Sequence, residues 1–114
     1  MDESRARALL RAERTEVAAL LREAEEATDE SHGVNVGPGD YGDAALPLTE
    51  QAEDEAVAED LRERLAAIDR ALARLQAGTY GRSVLSGQPI PDERLEADPA
   101  AELTIEEARA DERG

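Results

Sequence analysis

The sequence contains no cysteine, lysine, phenylalanine or tryptophan. Without cysteine the chain has no disulfide, no thiolate nucleophile and no thiolate ligand for a metal. Tyr41 and Tyr80 are its only aromatic residues, so large side chains for a thick globular interior are scarce. Because the abundant Ala, Leu, Glu and Arg all favour helices, the composition indicates thin helix-on-helix packing and argues against an all-β architecture.

Positive charge is also scarce: 13 arginines stand against 28 acidic residues, which gives a net charge of −15. Direct binding to nucleic acid relies on Lys and Arg displacing counterions from phosphates, so we expect none here. The charge suits a basic groove on another protein, although acidic residues also serve solubility alone. Thirteen acidic residues and no arginine lie between residues 23 and 60, which concentrates negative charge in the middle of the chain.

Long hydrophobic runs are absent as well. No segment approaches the roughly 20 apolar residues that a membrane-spanning helix needs. The polar first five residues lack the apolar stretch of a signal peptide. We therefore expect a cytoplasmic protein without membrane contact.

Two stretches have the periodicity of amphipathic helices. The first is predicted over residues 2–27, with an apolar stripe formed by Leu10, Val17, Leu21 and Ala24. The second is predicted over residues 50–77, with a seam formed by Val57, Leu61, Leu65, Ile68, Leu72 and Leu75. Thr49 suits the N-cap of the second helix and Gly78 suits its C-cap.

Residues 28–48 interrupt this pattern with four glycines and two prolines, which predicts a loop. A flexible loop between two helices of similar length favours an antiparallel hairpin over residues 1–77, with its tip at about 28–48. A parallel homodimeric coiled coil is the alternative. We favour the hairpin and expect a monomer.

Sequence motifs for catalysis are missing. The loop glycines do not form a phosphate-binding loop. His32 is the only histidine, and the acidic run Glu53, Asp54, Glu55 does not match the spacing of a calcium-binding loop. We therefore expect a protein that is not an enzyme.

Residues 78–99 read G-T-Y-G-R-S-V-L-S-G-Q-P-I-P-D-E-R-L-E-A-D-P. This segment resembles the zinc finger of the DksA/TraR family, in which G-T-Y-G is followed by C-x-x-C, G-x-P-I, R-L-E-A-x-P and a second C-x-x-C. Ser83 and Ser86 stand at the first cysteine pair, and Thr104 and Glu107 stand at the second. The resemblance implies a degenerate zinc-finger-like subdomain over residues 78–114 that ends in a short helix.

Loss of all four cysteines predicts that the chain binds no zinc and no other cofactor, because Ser and Thr hydroxyls are poor zinc ligands. The subdomain is then expected to depend on side-chain packing. The residues expected to pack are Tyr80, Val84, Leu85, Ile90, Leu95, Leu103 and Ile105.

The interhelical loop also resembles the family. Members that act on RNA polymerase carry D-x-x-D-x-A at the coiled-coil tip, which Asp40, Asp43 and Ala45 match. The resemblance implies a transcription regulator whose hairpin enters the secondary channel of RNA polymerase, with its tip near the catalytic centre. Arg94 is expected at the channel rim. Pro47 departs from the family, which already has helix at that point.

Two other functions remain open from the sequence. The first is an acidic adaptor or nucleic-acid mimic that binds another basic protein, which would require the net charge but not Asp40 and Asp43. A purely structural helical hairpin is the other alternative, and it would place no demand on the tip sequence.

Overall fold

A computed structural model describes the backbone of residues 1–34 and 45–113, and the side chains of residues 1–27 and 52–112. Its helices are α1 (Glu3–Val34), α2 (Ala45–Ala77), α3 (Asp92–Ala97) and α4 (Ile105–Arg113). Within these residues there is no β-strand, only an isolated bridge between Arg82 and Pro89. None of the described helices is long and apolar enough to cross a membrane. The fold is mainly α, as the sequence predicts.

The chain packs as two compact units. The first comprises Met1–Arg14 and Ala66–Gly114, and the second comprises Thr15–Leu65. Each unit contains part of α1 and part of α2. The sequence-based boundary at residue 77, which separates hairpin from finger, stays a prediction.

The two long helices run antiparallel within each unit. In the first unit the beginning of α1 pairs with the end of α2, where Arg14 Nε lies 2.7 Å from Asp69 Oδ1. In the second unit the remaining part of α1 pairs with the beginning of α2, where Arg62 Nη2 lies 3.7 Å from Glu25 Oε1. This is the predicted helical hairpin.

The inner ends of both helices differ from the prediction. Helix α1 continues to Val34, and α2 begins at Ala45, so Thr49 lies inside a helix and is not its N-cap. Pro47 is the third residue of α2. A proline is tolerated there because the first N–H groups of a helix have no acceptor within the helix. The sequence-based limits at residues 27 and 50 are therefore wrong.

The outer ends follow the expected capping rules. The Asp2 carbonyl accepts the Ala6 N–H at 2.9 Å, which places Asp2 at the N-cap of α1. Gly78 has a φ of 79°, a left-handed conformation that costs glycine little. The Thr79 N–H then turns back to the Arg74 carbonyl at 2.9 Å. This bond closes α2 in the manner of a Schellman motif and confirms Gly78 as the C-cap.

The seam between the helices is built partly from alanine. Its fully or nearly fully buried side chains are Ala6, Leu10, Val17, Ala58, Ile68, Ala71 and Leu75. Val57 was expected in this seam but is 52% exposed, whereas its neighbour Ala58 is 2% exposed. One residue along a helix turns a side chain by about 100°, so the buried stripe passes through Ala58 and leaves Val57 towards solvent. Small side chains at the seam also permit close packing of thin helices.

A small core of the first unit lies in the segment that the sequence predicts to be finger-like. Ile90, Leu95 and Ala101 are buried there, and Met1 and Tyr80 pack against them. The expectation that Val84, Leu85 and Ile105 belong to this core is wrong, because all three are exposed. Pro99, Ala100 and Ala101 lie inside instead.

Candidate functional site

The four residues at the predicted cysteine positions come together at one point of the first unit. Ser83 and Ser86 lie in the turn between α2 and α3, while Thr104 and Glu107 lie at the beginning of α4. Glu107 Oε1 accepts the Thr104 N–H at 2.9 Å, and the Ser86 and Ser83 hydroxyls lie near enough to its carboxylate to help lower its pKa. One carboxylate is therefore surrounded by the three other positions.

The donors around Glu107 favour the ionised form of its carboxyl group. The pKa of its carboxyl falls to about 2, chiefly because the Ser86 hydroxyl and then the Thr104 N–H and Ser83 hydroxyl stabilise the ionised form. Asp and Glu are acceptor-only when ionised, which matches the donors that converge on this group. At neutral pH the centre of the cluster is an anion.

Ser83 also organises the turn that carries Ser86. Its buried Oγ accepts the Leu85 N–H at 3.1 Å and the Ser86 N–H at 3.2 Å. Gly87, with a φ of 77°, then lets its N–H reach the Ser83 carbonyl at 2.9 Å. Hydroxyls that accept nearby backbone N–H groups in this way stabilise tight turns without a metal.

The second pair forms a helix cap. The Thr104 N–H donates to Glu107 Oε1 at 2.9 Å, and the Glu107 N–H donates to Thr104 Oγ1 at 3.2 Å. This reciprocal pair is a capping box, in which a Thr and a Glu three residues later satisfy each other's backbone donors. The same carboxylate thus caps α4 and lies beside the hydroxyls of the serine turn.

The cluster is poorly suited to zinc. Zinc in structural sites takes thiolate, imidazole or carboxylate ligands, and this cluster offers one carboxylate and three neutral hydroxyls. The described residues contain no group of three or more His, Asp or Glu side chains that could hold a metal ion. The hydroxyls and the carboxylate are also already engaged in hydrogen bonds. The donor set therefore does not fit the metal that the finger frame implies.

Two further contacts hold the segment before α4. Arg94, on α3, donates from Nε to the Leu103 carbonyl at 2.7 Å and is half-buried. The Tyr80 hydroxyl donates to the Pro99 carbonyl at 2.8 Å. Burial raises the pKa of this phenol, so it remains a proton donor at neutral pH. Arg94 thus makes a contact within the first unit, and its expected place at a channel rim stays a prediction.

An ion-pair group that the sequence did not suggest joins α2 to the same segment. Arg70 donates to Glu102 from Nε at 3.1 Å and from Nη2 at 2.8 Å. Arg74 Nη1 lies 3.4 Å from the same carboxylate. The Arg70 guanidinium is the main reason why the pKa of Glu102 is lowered. Residues 32 apart in sequence leave no local signal, so only the folded chain reveals this pair.

The predicted tip is not part of this geometry. Asp40 and Asp43 lie outside the described residues. Ala45 is the first residue of α2, and its side chain lies outside the described residues as well. The roles of these three residues therefore stay predictions.

The chain matches no protein-family model. It is 40% identical over 100 residues to general stress protein 16O of Bacillus subtilis, a match that covers 84% of this chain and 59% of the relative. It is 32% identical over 94 residues to the RNA polymerase-binding transcription factor DksA of Caulobacter vibrioides, covering 82% of this chain and 66% of that protein. The chain thus spans about three fifths to two thirds of the length of these curated relatives.

The fold has a close counterpart among solved structures. Transcription factor DksA2 from Pseudomonas aeruginosa superposes with a TM-score of 0.82 at 29% sequence identity, over 97% of this chain and 83% of that one. The chain contains no cysteine, and the assignment of Ser83, Ser86, Thr104 and Glu107 to the family's cysteine positions stays a prediction. The chain belongs to the DksA-like family, as a member without the cysteines of the zinc finger.

Proposed function

We propose that this protein regulates transcription by binding RNA polymerase and that it is not an enzyme. The observation that carries the proposal is the match to DksA2 along nearly the whole chain, at a TM-score of 0.82 over 97% of its residues. The sequence similarity to a DksA that is named for RNA polymerase binding points the same way. Regulation of this kind acts through occupancy and requires no catalytic residue.

The proposed route is the secondary channel of the polymerase. The hairpin enters this channel, and its tip residues Asp40, Asp43 and Ala45 lie near the catalytic centre. A channel that admits anionic nucleotides attracts carboxylates, and thirteen acidic residues lie between residues 23 and 60 without an arginine. Asp40 and Asp43 then alter initiation by charge and hydrogen bonding.

The finger-like subdomain is proposed to contact the rim of the channel without zinc. Glu107 is proposed to take the structural place of the metal, since it caps α4 and its ionised carboxylate lies beside the hydroxyls of the serine turn. Arg94 is partly exposed beside this cluster and is proposed to reach the rim. The protein is proposed to act as a monomer and to bind polymerase without direct contact to nucleic acid.

The proposal is tested by measuring binding of the purified protein to core RNA polymerase at moderate salt. A known secondary-channel factor serves as competitor, and a variant with Asp40→Asn and Asp43→Asn serves as the tip mutant. We expect saturable binding that the competitor displaces. The tip mutant is expected to bind but to lose its effect on transcription in vitro.

A matched control is a variant with Glu53→Asn and Asp54→Asn, which removes the same charge from the beginning of α2. It should retain the effect on transcription if the two tip carboxylates matter individually. Equal loss in both variants would favour an acidic adaptor that depends on net charge alone. Absence of binding by the wild-type protein would overturn the polymerase proposal.

A further inference from the structure

Arg74 lies in the last turn of α2, and its guanidinium is only partly paired. The side chain is 15% exposed, and Nη1 lies 3.4 Å from Glu102 Oε2. Its Nε and Nη2 are buried and have no hydrogen-bond partner within the part of the chain that the structure describes. Buried donors that lose water without gaining an acceptor destabilise the packing around them. The folded chain therefore leaves part of a buried cation unsatisfied.

Glu102 is the carboxylate that faces this guanidinium. It also accepts hydrogen bonds from Arg70 Nε at 3.1 Å and from Arg70 Nη2 at 2.8 Å. The hydrogen bond from Arg70 is the largest reason why the pKa of Glu102 is lowered, and it outweighs the opposing effect of partial burial. The charges of Arg70 and Arg74 lower this pKa further. Two arginines of α2 thus bind one ionised side chain that precedes α4.

The backbone beside Glu102 fastens the rest of residues 78–104, here called the α2–α4 segment. The Glu102 carbonyl accepts the Val84 N–H at 2.9 Å. The next carbonyl, that of Leu103, accepts Arg94 Nε at 2.7 Å. Contacts that meet at one short stretch of chain tend to open together when that stretch moves. Displacement of Glu102 should therefore release the serine turn and α3 at the same time.

Opening of the α2–α4 segment would make two contributions of opposite sign. It would break the pairs of Glu102 with Arg70 and Arg74, and the Arg70 side chain is 54% exposed, so its pair contributes modestly. It would also admit water to the unpaired N–H groups of Arg74, which offsets part of that loss. The open arrangement should therefore lie closer in free energy to the native state than the unfolded chain does.

We propose that Glu102 is a latch for local opening of the α2–α4 segment and that Arg74 opposes this latch. When the latch opens, the buried side chains of Ile90 and Leu95 become accessible while α1 and α2 stay folded. This part of the chain can then rearrange without unfolding of the hairpin. Such opening depends on contacts inside the chain and does not require RNA polymerase.

Hydrogen exchange of the wild-type chain in increasing urea tests whether the opening is local. The Val84 N–H reports on the segment because its acceptor is the Glu102 carbonyl, and the Ile68 N–H is the reference because Ile68 is fully buried on α2. We expect the opening constant at Val84 to exceed that at Ile68 by at least about tenfold. Exchange at Val84 should also depend less on urea, because a local opening exposes less surface.

Two substitutions then test the latch and the group that opposes it. Glu102→Gln should accelerate exchange at Val84 by at least about tenfold, since it removes the charged partner of both arginines. Glu93→Gln removes one charge from the exposed surface of α3 and is the matched control, with an expected change within about twofold. Arg74→Met keeps an unbranched side chain without the buried guanidinium, so it should slow exchange at Val84 by about fivefold or more.

Each measurement can contradict one part of the proposal. Equal opening constants and equal urea dependence at Val84 and Ile68 would show that the segment opens only when the whole chain unfolds, and would overturn the latch. Equal exchange in Glu102→Gln and Glu93→Gln would overturn it as well. Faster exchange in Arg74→Met would show that Arg74 fastens the segment. The wild-type comparison requires no variant, so it decides the question of local opening even where a substitution unfolds the chain.

Discussion

Thr104 and Glu107 hold each other through two hydrogen bonds, from the Thr104 N–H to Glu107 Oε1 at 2.9 Å and from the Glu107 N–H to Thr104 Oγ1 at 3.2 Å. The sequence predicts both residues at the second cysteine pair of the family's finger. Two positions predicted to have lost metal ligands therefore form a helix cap. The nearby hydroxyls of Ser83 and Ser86 also stabilise the ionised carboxylate of this cap.

The hydroxyl of Thr104 should matter for stability. Thr104→Ala removes the acceptor of the Glu107 N–H, and loss of such a cap costs about 1 kcal/mol. The unfolding temperature should then fall by roughly 4 °C. Thr104→Ser keeps the hydroxyl and serves as the control, with an expected change of less than about half that size. Circular dichroism during heating measures both, and an unchanged melting curve for Thr104→Ala would contradict the cap.

The charge of Glu107 should make its contribution depend on pH. Its pKa in the folded chain is about 2, below the usual 4.5. A lowered pKa stabilises the fold fully above the usual value, and this stabilisation is lost as the pH falls towards 2. The difference in unfolding temperature between wild type and Glu107→Gln should therefore be largest near neutral pH and should shrink between pH 5 and pH 2.

The control for this titration is Glu106→Gln, which changes an exposed neighbour on the same turn of α4. Its unfolding temperature should follow that of the wild type more closely at every pH. A constant difference between wild type and Glu107→Gln from pH 7 to pH 2 would show that the carboxylate acts by shape and not by charge.

Zinc should be dispensable here and recoverable by mutation. We expect a chelator to leave the unfolding temperature of the wild-type chain unchanged. The variant Ser83→Cys, Ser86→Cys, Thr104→Cys, Glu107→Cys brings four thiols to positions that the fold already gathers, so it should bind about one zinc ion per chain. Metal analysis of the purified proteins and melting with and without chelator measure this. Failure of the four-cysteine variant to bind zinc would show that the backbone has departed from the geometry of the finger.

The sequence predicts much of this fold because its signals are local. The apolar stripe of α1 and the C-cap at Gly78 follow from spacing and residue type, whereas the finger frame of residues 78–107 is what the resemblance to the DksA/TraR family implies. The inner ends of the two helices could not be predicted from local signals. A proline breaks the interior of a helix but is tolerated in its first turn. Pro47 therefore fits α2 only because the helix begins at Ala45, and the sequence does not mark that beginning.

Side-chain burial in the finger was harder to predict for a different reason. Val84 and Leu85 are apolar, but the turn is fixed by hydrogen bonds of their backbone, which directs the side chains outwards. The link between Arg70 and Glu102 joins residues 32 apart, and no local pattern indicates such a pair. The cysteine positions were predicted from the resemblance alone, whereas the capping hydrogen bonds between Thr104 and Glu107 required the folded chain.

Arg94 offers a test that separates its structural contact from its proposed contact with polymerase. Arg94→Lys keeps the positive charge but removes the Nε donor to the Leu103 carbonyl. A hydrogen bond from a charged group contributes about 1.5–3 kcal/mol when partly buried, so the variant should unfold at a lower temperature. If binding to polymerase depends on charge at the rim, Arg94→Lys should retain it under conditions where the chain is folded. Loss of binding with an unchanged melting curve would mean that the Arg94 guanidinium is needed for binding to polymerase and not for stability of the fold.

The excess of acidic residues should make the fold more stable in salt. Cross-helix ion pairs such as Arg14–Asp69 and Arg62–Glu25 are half-exposed, and pairs of this kind contribute about 0.2–1 kcal/mol each. Repulsion among the charges behind a net value of −15 opposes them. Salt screens both the ion pairs and the repulsion. Because acidic residues outnumber arginines by about two to one, the weakened repulsion should have the larger effect on stability.

Raising NaCl from about 20 mM to about 500 mM should therefore increase the unfolding temperature, by about 5 °C if roughly 1 kcal/mol of repulsion is removed. A neutral solute at equal osmolality controls for effects that are not ionic. A fall in the unfolding temperature would mean that the ion pairs between α1 and α2 stabilise the hairpin by more than the repulsion among its acidic residues destabilises it.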